Sequence, residues 1–185
     1  MKEPSFVYHF KPKGMVGKIL FPLNELGNNH PQAHREQLKK YEGRESLLNK
    51  KIPLLNGLWN DVLHLSPINP QILVDFWREQ KWLDSQKKDL PREFYKIPVE
   101  ALNSESTVCY QSSNVNFNNP DPSLEKFWRF DSNQFVEHKQ IEPLQIKVWE
   151  EDHSDGRPFY WYSHTMHLLA KQSINIENVE VHICK

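Results

Sequence analysis

Apolar side chains recur along the chain with two different spacings, and the spacing distinguishes predicted strands from predicted helices. Residues 5–10 combine ring and aliphatic side chains of high β propensity, which predicts a strand. The turn sequence Lys11-Pro12-Lys13-Gly14 would end it. By similar reasoning we predict further strands at 58–66, 94–99, 106–111, 158–171 and 176–183.

Other segments place apolar residues three or four positions apart, as an amphipathic helix does. Asn69 and Pro70 supply an N-cap and a first-turn proline for a helix over about 70–83. The remaining predicted helices are 15–26, broken near Pro22; 31–50, interrupted near Gly43; a short helix capped by Asp121-Pro122; and 141–152, where strand is the alternative. This mixed order predicts an α+β fold.

Length and charge narrow the class of protein. A chain of 185 residues predicts a single α+β domain over 1–185, and about 70% of its surface can be buried. The 23 Lys and Arg residues nearly balance the 24 Asp and Glu residues, which argues against a general nucleic-acid coat or an anionic-membrane binder. No apolar run approaches 18 residues, so we expect no membrane partner.

The sequence has two cysteines, Cys109 and Cys184, which are far apart along the chain. This excludes the class of small secreted domains that are held together by several disulfide bonds. With no signal-peptide pattern at the start, we expect a cytoplasmic protein, although delivery by a specialised secretion system leaves no mark in the sequence. Only 6 glycines occur, and neither a Walker A nor a G-x-G-x-x-G pattern is present. The usual glycine-rich nucleotide loops are therefore excluded. Six Trp and nine His are consistent with a ring-lined pocket or with a Trp-rich core.

Histidines within predicted strands are the main candidates for chemistry. His9 ends the first strand, where an imidazole can bond a ligand hydroxyl or act as acid or base; the alternative is a core histidine. Period-two alternation puts Asn60, Val62, His64 and Ser66 on one face, which predicts a pocket wall or a solvent-facing strand edge.

A metal site has less support. His164 and His167 are three positions apart and would point in opposite directions on a strand. Zinc would therefore need His182 or Cys184 as further ligands. We expect no metal, with a zinc-dependent hydrolase as an alternative.

Taken in order, these segments resemble the ADP-ribosyltransferase-like fold, most closely the DNA-modifying toxins and the RNA 2′-phosphotransferases. The sequences that carry the resemblance are Tyr8-His9-Phe10-Lys11-Pro12 followed by Ile19-Leu20, Asp61-Val62-Leu63-His64-Leu65-Ser66-Pro67, the strand from Phe94 to Leu102, and His167-Leu168-Leu169-Ala170-Lys171-Gln172-Ser173-Ile174 before a last strand. The motifs cover most of the chain, although each is short.

The resemblance implies split mixed or antiparallel sheets with flanking helices. It also implies an aromatic, His-lined cleft for NAD or a related nucleotide, and transfer of ADP-ribose to a protein or nucleic-acid acceptor. His9 and His167 are then the catalytic candidates, and the nucleotide contacts are Tyr8, His9, Lys11, Asn60, His64 and Ser66.

One position departs from the family. His167 stands where the transferring toxins have a catalytic Glu, and a neutral imidazole can bond ribose but cannot supply negative charge. Either Glu177 or Glu180 would have to take the place of that catalytic Glu, or the protein would bind NAD without transferring ADP-ribose. A non-catalytic module with an exposed aromatic patch for a protein partner is the alternative function.

Overall fold

Strand β1 (Phe6–Phe10) lies where two antiparallel sheets meet. The computed structural model describes residues 4–15, 17–86, 90–114 and 121–185. The first sheet has the order β1, β6 (Arg92–Pro98), β11 (Glu180–Cys184). The second has the order β5 (Leu63–Leu65), β9 (His167–Ala170), β7 (Thr107–Ser112), β8 (Glu125–Arg129).

The two sheets are joined by backbone hydrogen bonds between Tyr8 and Ser66. Each residue donates its N–H to the other's carbonyl, at 2.8 and 2.9 Å. Because Ser66 directly follows β5, this bridge sets β1 beside β5. The N-terminal strand is thereby held against both sheets.

Shorter elements surround these sheets. Strand β2 (Ile19–Leu20) pairs with β10 (Ile174–Asn175), and β3 (Lys51–Ile52) pairs with β4 (Gly57–Leu58). The helices are α1 (Leu23–Asn29), α2 (Pro31–Leu38), α3 (Pro70–Glu79), α4 (Leu83–Gln86) and α5 (Pro143–Ser154), with 3₁₀ turns at Lys39–Tyr41, Glu45–Asn49, Trp59–Asp61, Val99–Ala101 and Pro122–Leu124. The protein is therefore an α+β fold, as predicted.

Burial divides the apolar side chains into three clusters. One includes Val7, Leu65 and Leu168 from both sheets. A second packs α3 and α5 against the first sheet through Trp77 and Trp149, whose rings lie 5.0 Å apart. The third covers the opposite face of the second sheet and includes Ile52, Val62, Val108 and Leu169. The two faces of the second sheet are thus both covered.

Several predicted elements are confirmed. Asn69 caps α3, since its side-chain oxygen accepts a hydrogen bond from the Gln71 N–H at 2.9 Å. Residues 143–154 are helical rather than extended. The strands predicted at 5–10, 94–99 and 106–111 correspond to β1, β6 and β7.

Other predictions are wrong. The helix predicted at 15–26 starts only after Pro22, and β2 occupies part of that span. The helix predicted after Asp121-Pro122 is one 3₁₀ turn followed by β8, because pairing with β7 overrides the apolar spacing. Residues 158–166, predicted as part of a strand, are not strand. In the described ranges, no helix has the length and apolar character needed to cross a bilayer.

Candidate functional site

Three of the predicted histidines, His9 on β1, His64 on β5 and His167 on β9, form a cluster near the junction of the two sheets. His64 and His167 lie on the paired strands β5 and β9, and the bridge between Tyr8 and Ser66 places His9 near the end of β5. Burial lowers the pKa of His64 to about 3. We call His9, His64 and His167 the imidazole cluster.

Each ring of the imidazole cluster contacts one backbone carbonyl. The pairs are His9 Nδ1 with Phe10 O at 2.6 Å, His64 Nε2 with Trp59 O at 3.0 Å and His167 Nε2 with Tyr162 O at 2.7 Å. Because a carbonyl only accepts, each of these ring nitrogens donates. The second nitrogen of each neutral ring is then an acceptor, and it has no hydrogen-bond partner among the described residues.

The protonation state of the cluster follows from its burial. Desolvation lowers the pKa of His9 to about 4 and also lowers the pKa of His167. Since the pKa of His64 is lowered as well, all three rings are neutral at pH 7. The site therefore presents hydrogen-bond acceptors rather than imidazolium charges.

Aromatic rings support the cluster from two sides. The Trp59 ring lies 4.4 Å from the His64 ring, and Tyr110 and Tyr162 lie 6.3 and 6.5 Å from His167. Trp59 and Tyr110 are themselves 5.2 Å apart in an edge-to-face arrangement. These contacts limit the orientations that the two imidazoles can adopt.

A partly buried ion pair lies against the same rings. The Lys50 ammonium is 4.4 Å from the centre of the Trp59 ring and 5.1 Å from that of Tyr110, and it pairs with Glu125. The Tyr110 hydroxyl donates to Glu125 at 3.0 Å. Sequence reasoning missed this pair because its members are 75 residues apart and neither lies in a motif.

A cavity of about 590 Å³ lies between the connection that follows β1 and helices α1 and α2. Its lining combines apolar side chains, among them Phe21 and Leu26, with polar ones such as His30 and Gln37. Lys40 lies beside this cavity, since its ammonium donates to Gln37 Oε1 at 3.3 Å. The described lining residues do not include His9, His64 or His167.

Three predicted nucleotide contacts are buried instead. Tyr8 is 2% exposed, and its hydroxyl donates to Glu137 at 2.8 Å. The Ser66 hydroxyl, also buried, accepts from the Ile68 N–H at 3.1 Å. Asn60 is 3% exposed within a 3₁₀ turn. Because these side chains are enclosed by protein, we do not include them in the candidate site.

Lys11 remains partly exposed but is not free. Its ammonium forms a 2.9 Å ion pair with Glu93 on β6. A ligand anion would have to compete with that carboxylate, so Lys11 is also left out of the site.

The carboxylates suggested as replacements for a catalytic Glu lie elsewhere. Glu177 pairs with Lys18, and Glu180 on β11 pairs with Lys96 at 3.0 Å. In the described part of the chain, the hydrogen bonds of the three rings go to backbone carbonyls and none goes to a carboxylate.

Of the residues considered for zinc, only His167 belongs to the imidazole cluster. His164 precedes β9, is buried, and donates its backbone N–H to Gln145 Oε1 at 2.9 Å. Within residues 4–15, 17–86, 90–114 and 121–185, no three His, Cys, Asp or Glu side chains are grouped to hold a metal ion.

Comparison of the chain with protein-family models, with curated proteins and with solved structures finds no match. The resemblance to ADP-ribosyltransferases therefore stays a prediction.

Proposed function

We propose that the protein binds a nucleotide such as NAD through the imidazole cluster and the cavity beside the connection that follows β1. The observation that carries this proposal is the set of neutral imidazoles, each with one nitrogen left as an acceptor. Ribose hydroxyls are donors that match these acceptors. The family resemblance of the sequence points to the same class of ligand.

The cavity has the properties that a nucleotide site requires. Its volume of about 590 Å³ falls in the range of about 300–1,000 Å³ that is typical of small-molecule sites. Apolar side chains such as Phe21 and Leu26 suit a flat heterocyclic ring, and the polar residues between them can bond its exocyclic groups. We therefore assign the ring of the ligand to the cavity and its ribose to the imidazoles.

Binding is better supported than transfer of ADP-ribose. Transfer breaks the bond between ribose C1′ and nicotinamide, joins C1′ to an acceptor oxygen or nitrogen, and removes the acceptor's proton. A group whose pKa is about 4, as for His9, is a weak base at pH 7. A neutral His167 also adds no negative charge to stabilise the oxocarbenium-like state. We propose transfer as a secondary activity, carried by His9 and His167.

The test is calorimetric titration of the protein with NAD and with ADP-ribose. We expect saturable heat for the intact protein and at least about tenfold weaker binding for His64→Ala, which loses one acceptor. His153→Gln is the matched control, because His153 lies on α5 and stacks on Trp82. No heat and no thermal shift at millimolar ligand would overturn the proposal. Equal weakening by the control variant would also contradict it.

A separate assay tests transfer. Incubation with NAD that is isotopically labelled in the adenylate part should label a protein or nucleic-acid acceptor, and His167→Ala should reduce that labelling. Binding without labelled acceptor or released nicotinamide would overturn the transfer step and leave the binding proposal intact.

A further inference from the structure

Strand β11 forms one edge of the first sheet, whose order is β1, β6, β11. The opposite edge, at β1, is occupied at Tyr8, which bridges to Ser66. At β11, pairing with β6 accounts for only one side of the strand. The other side carries backbone N–H and C=O groups that are available to a further strand.

The hydrogen bonds between β1 and β6 show which way each backbone group of β6 points. Lys11 donates its N–H to the Glu93 carbonyl at 3.0 Å. At the other end of the pair, Val99 donates its N–H to the Ser5 carbonyl at 3.0 Å. The odd-numbered residues of β6 therefore face β1. Because peptide groups alternate in direction along a strand, the even-numbered residues of β6, such as Phe94, face β11.

Val181 and Ile183 are therefore the residues of β11 whose backbone faces outward. The even-numbered residues of β6 lie opposite even-numbered residues of β11, as Phe94 lies opposite His182. Within the described part of the chain, the backbone groups of Val181 and Ile183 have no hydrogen-bond partner on the outer side. Their side chains are also exposed, to 36% and 46%. The same two residues thus present free backbone groups and β-branched apolar side chains.

The edge of the second sheet at β8 differs in charge. The exposed residues of β8 include Lys126 and Arg129, and charged side chains on an edge strand oppose pairing with another strand. In contrast, β11 contains no Lys or Arg, and its single carboxylate, Glu180, pairs with Lys96 at 3.0 Å. The edge at β11 therefore lacks this protection.

The free groups of β11 match those of a second copy of the chain. In an antiparallel pair, two residues that are hydrogen-bonded to each other exchange two bonds. Placing Val181 opposite Ile183 of the second copy, and Ile183 opposite Val181, forms four such bonds. A shift of the register by two residues would use Val179 or Lys185, whose N–H groups already have partners at 3.2 and 3.3 Å. One register therefore uses only free groups.

We propose that the protein forms a two-fold symmetric dimer in which β11 of each copy pairs antiparallel with β11 of the other. The two first sheets then join into one sheet of six strands. On one face, Val181 of each copy lies against Ile183 of the other, which is a favourable cross-strand pair. His182 lies at the two-fold axis. Because the same surface is used by both copies, the assembly closes at two.

This dimer does not depend on the proposed nucleotide binding. Pairing of two short strands buries less than the total of about 1,200 Å² at which standard interfaces begin. We therefore expect a weak dimer, with a dissociation constant in the micromolar range.

The test is sedimentation velocity from about 1 μM to about 1 mM protein. Val181→Lys combined with Ile183→Lys puts like charges opposite each other, and we expect the dissociation constant of the dimer to rise at least about tenfold. Val181→Lys combined with Ile183→Glu differs only in the sign of one charge and puts opposite charges face to face. It should associate at least about tenfold more tightly than the double-lysine variant.

The control variant is Leu54→Lys, which adds a charge at an apolar residue that is 47% exposed in the turn between β3 and β4. It should change the dissociation constant by no more than about twofold. Thermal denaturation of each variant checks the fold. We expect the fold to be unchanged because the Val181 and Ile183 side chains are exposed.

Each outcome decides for or against the dimer. A monomer at every concentration overturns the proposal and leaves the edge of β11 to a strand of another protein. A dimer that persists in the double-lysine variant uses another surface and also overturns it. Tighter association of the lysine–glutamate variant supports both the pairing and its register, whereas equal affinities of the two double variants contradict them. None of these results bears on nucleotide binding, which the titration with NAD tests separately.

Discussion

Lys50 and Glu125 form an ion pair against the rings of Trp59 and Tyr110, with side chains only 19% and 11% exposed. The pair brings together β8 and the segment that leads into β3, which are far apart in the sequence. Because Trp59 contacts His64 and Tyr110 contacts His167, the pair also supports the imidazole cluster.

Removing one member of this pair should destabilise the protein. Lys50→Met leaves the Glu125 carboxylate without its cation, and we expect a loss of about 1–3 kcal/mol in the free energy of unfolding, less than for a fully enclosed pair. Urea denaturation of Lys50→Met, Glu125→Leu and the double variant measures the coupling. The double variant should be more stable than the sum of the single losses predicts; additive losses would contradict the coupling.

Acid should destabilise the protein between pH 6.5 and pH 5. The folded-state pKa values of His9 and His64, about 4 and 3, lie below the unfolded value of about 6.5. The unfolded chain therefore binds more protons in this window, so stability is present above pH 6.5 and falls as the pH decreases. Each group contributes at most about 1.4 kcal/mol per pH unit.

The measurement is the free energy of unfolding at pH 7.0, 6.0 and 5.0, above the range where most carboxylates titrate. His64→Gln should flatten the dependence, and the control His153→Gln should leave it unchanged. Identical slopes for the intact protein and His64→Gln would show that His64 titrates normally in the folded state.

The ring tautomers of the cluster should differ. The carbonyl contacts require a proton on Nδ1 of His9 and on Nε2 of His64 and His167. Nitrogen NMR of the imidazoles should therefore show one Nδ1–H and two Nε2–H tautomers at pH 7, and the tautomers of His9 and His64 should persist to about pH 5. A single population-averaged signal for each ring, shifting with a midpoint near pH 6.5, would contradict these assignments.

Tyr8→Phe should separate stability from binding. The variant removes the 2.8 Å hydrogen bond to Glu137, and we expect it to lower the free energy of unfolding by about 1 kcal/mol. Because the Tyr8 side chain is enclosed, NAD affinity should not change. Calorimetric titration of the variant with NAD measures the affinity. A loss of affinity would show that Tyr8 contributes to NAD binding.

Much of the local structure could be predicted from the sequence. Asn69 and Pro70 lie at the N-cap and in the first turn of α3, where their residue types are favoured. The β propensity of the residues around His9 correctly predicted β1. These predictions succeed because capping and strand propensity depend on residues within a few positions of one another. The helix expected near Phe127 failed because pairing with β7, a distant segment, decides the conformation of β8.

The candidate site was only partly predictable. His9, His64 and His167 stood out in the sequence because each is a polar group within an apolar strand, and the folded chain carries them on strands that meet at the sheet junction. The same reasoning gave Tyr8 and Ser66 as contacts, but side-chain direction at the sheet junction encloses both. Lys50 and Glu125 occur among many similar charged residues, and nothing in their local sequence distinguishes them.

The sequence by itself determined the α+β class, the cap of α3 and the strands that carry the three histidines. Tertiary structure alone decided that β1 lies beside β5 and that Lys50 meets Glu125. The physical reason is the separation along the chain over which each kind of interaction acts. Backbone preferences act over a few residues, whereas these contacts exist only after the chain has paid the entropy of closing loops of tens of residues or more.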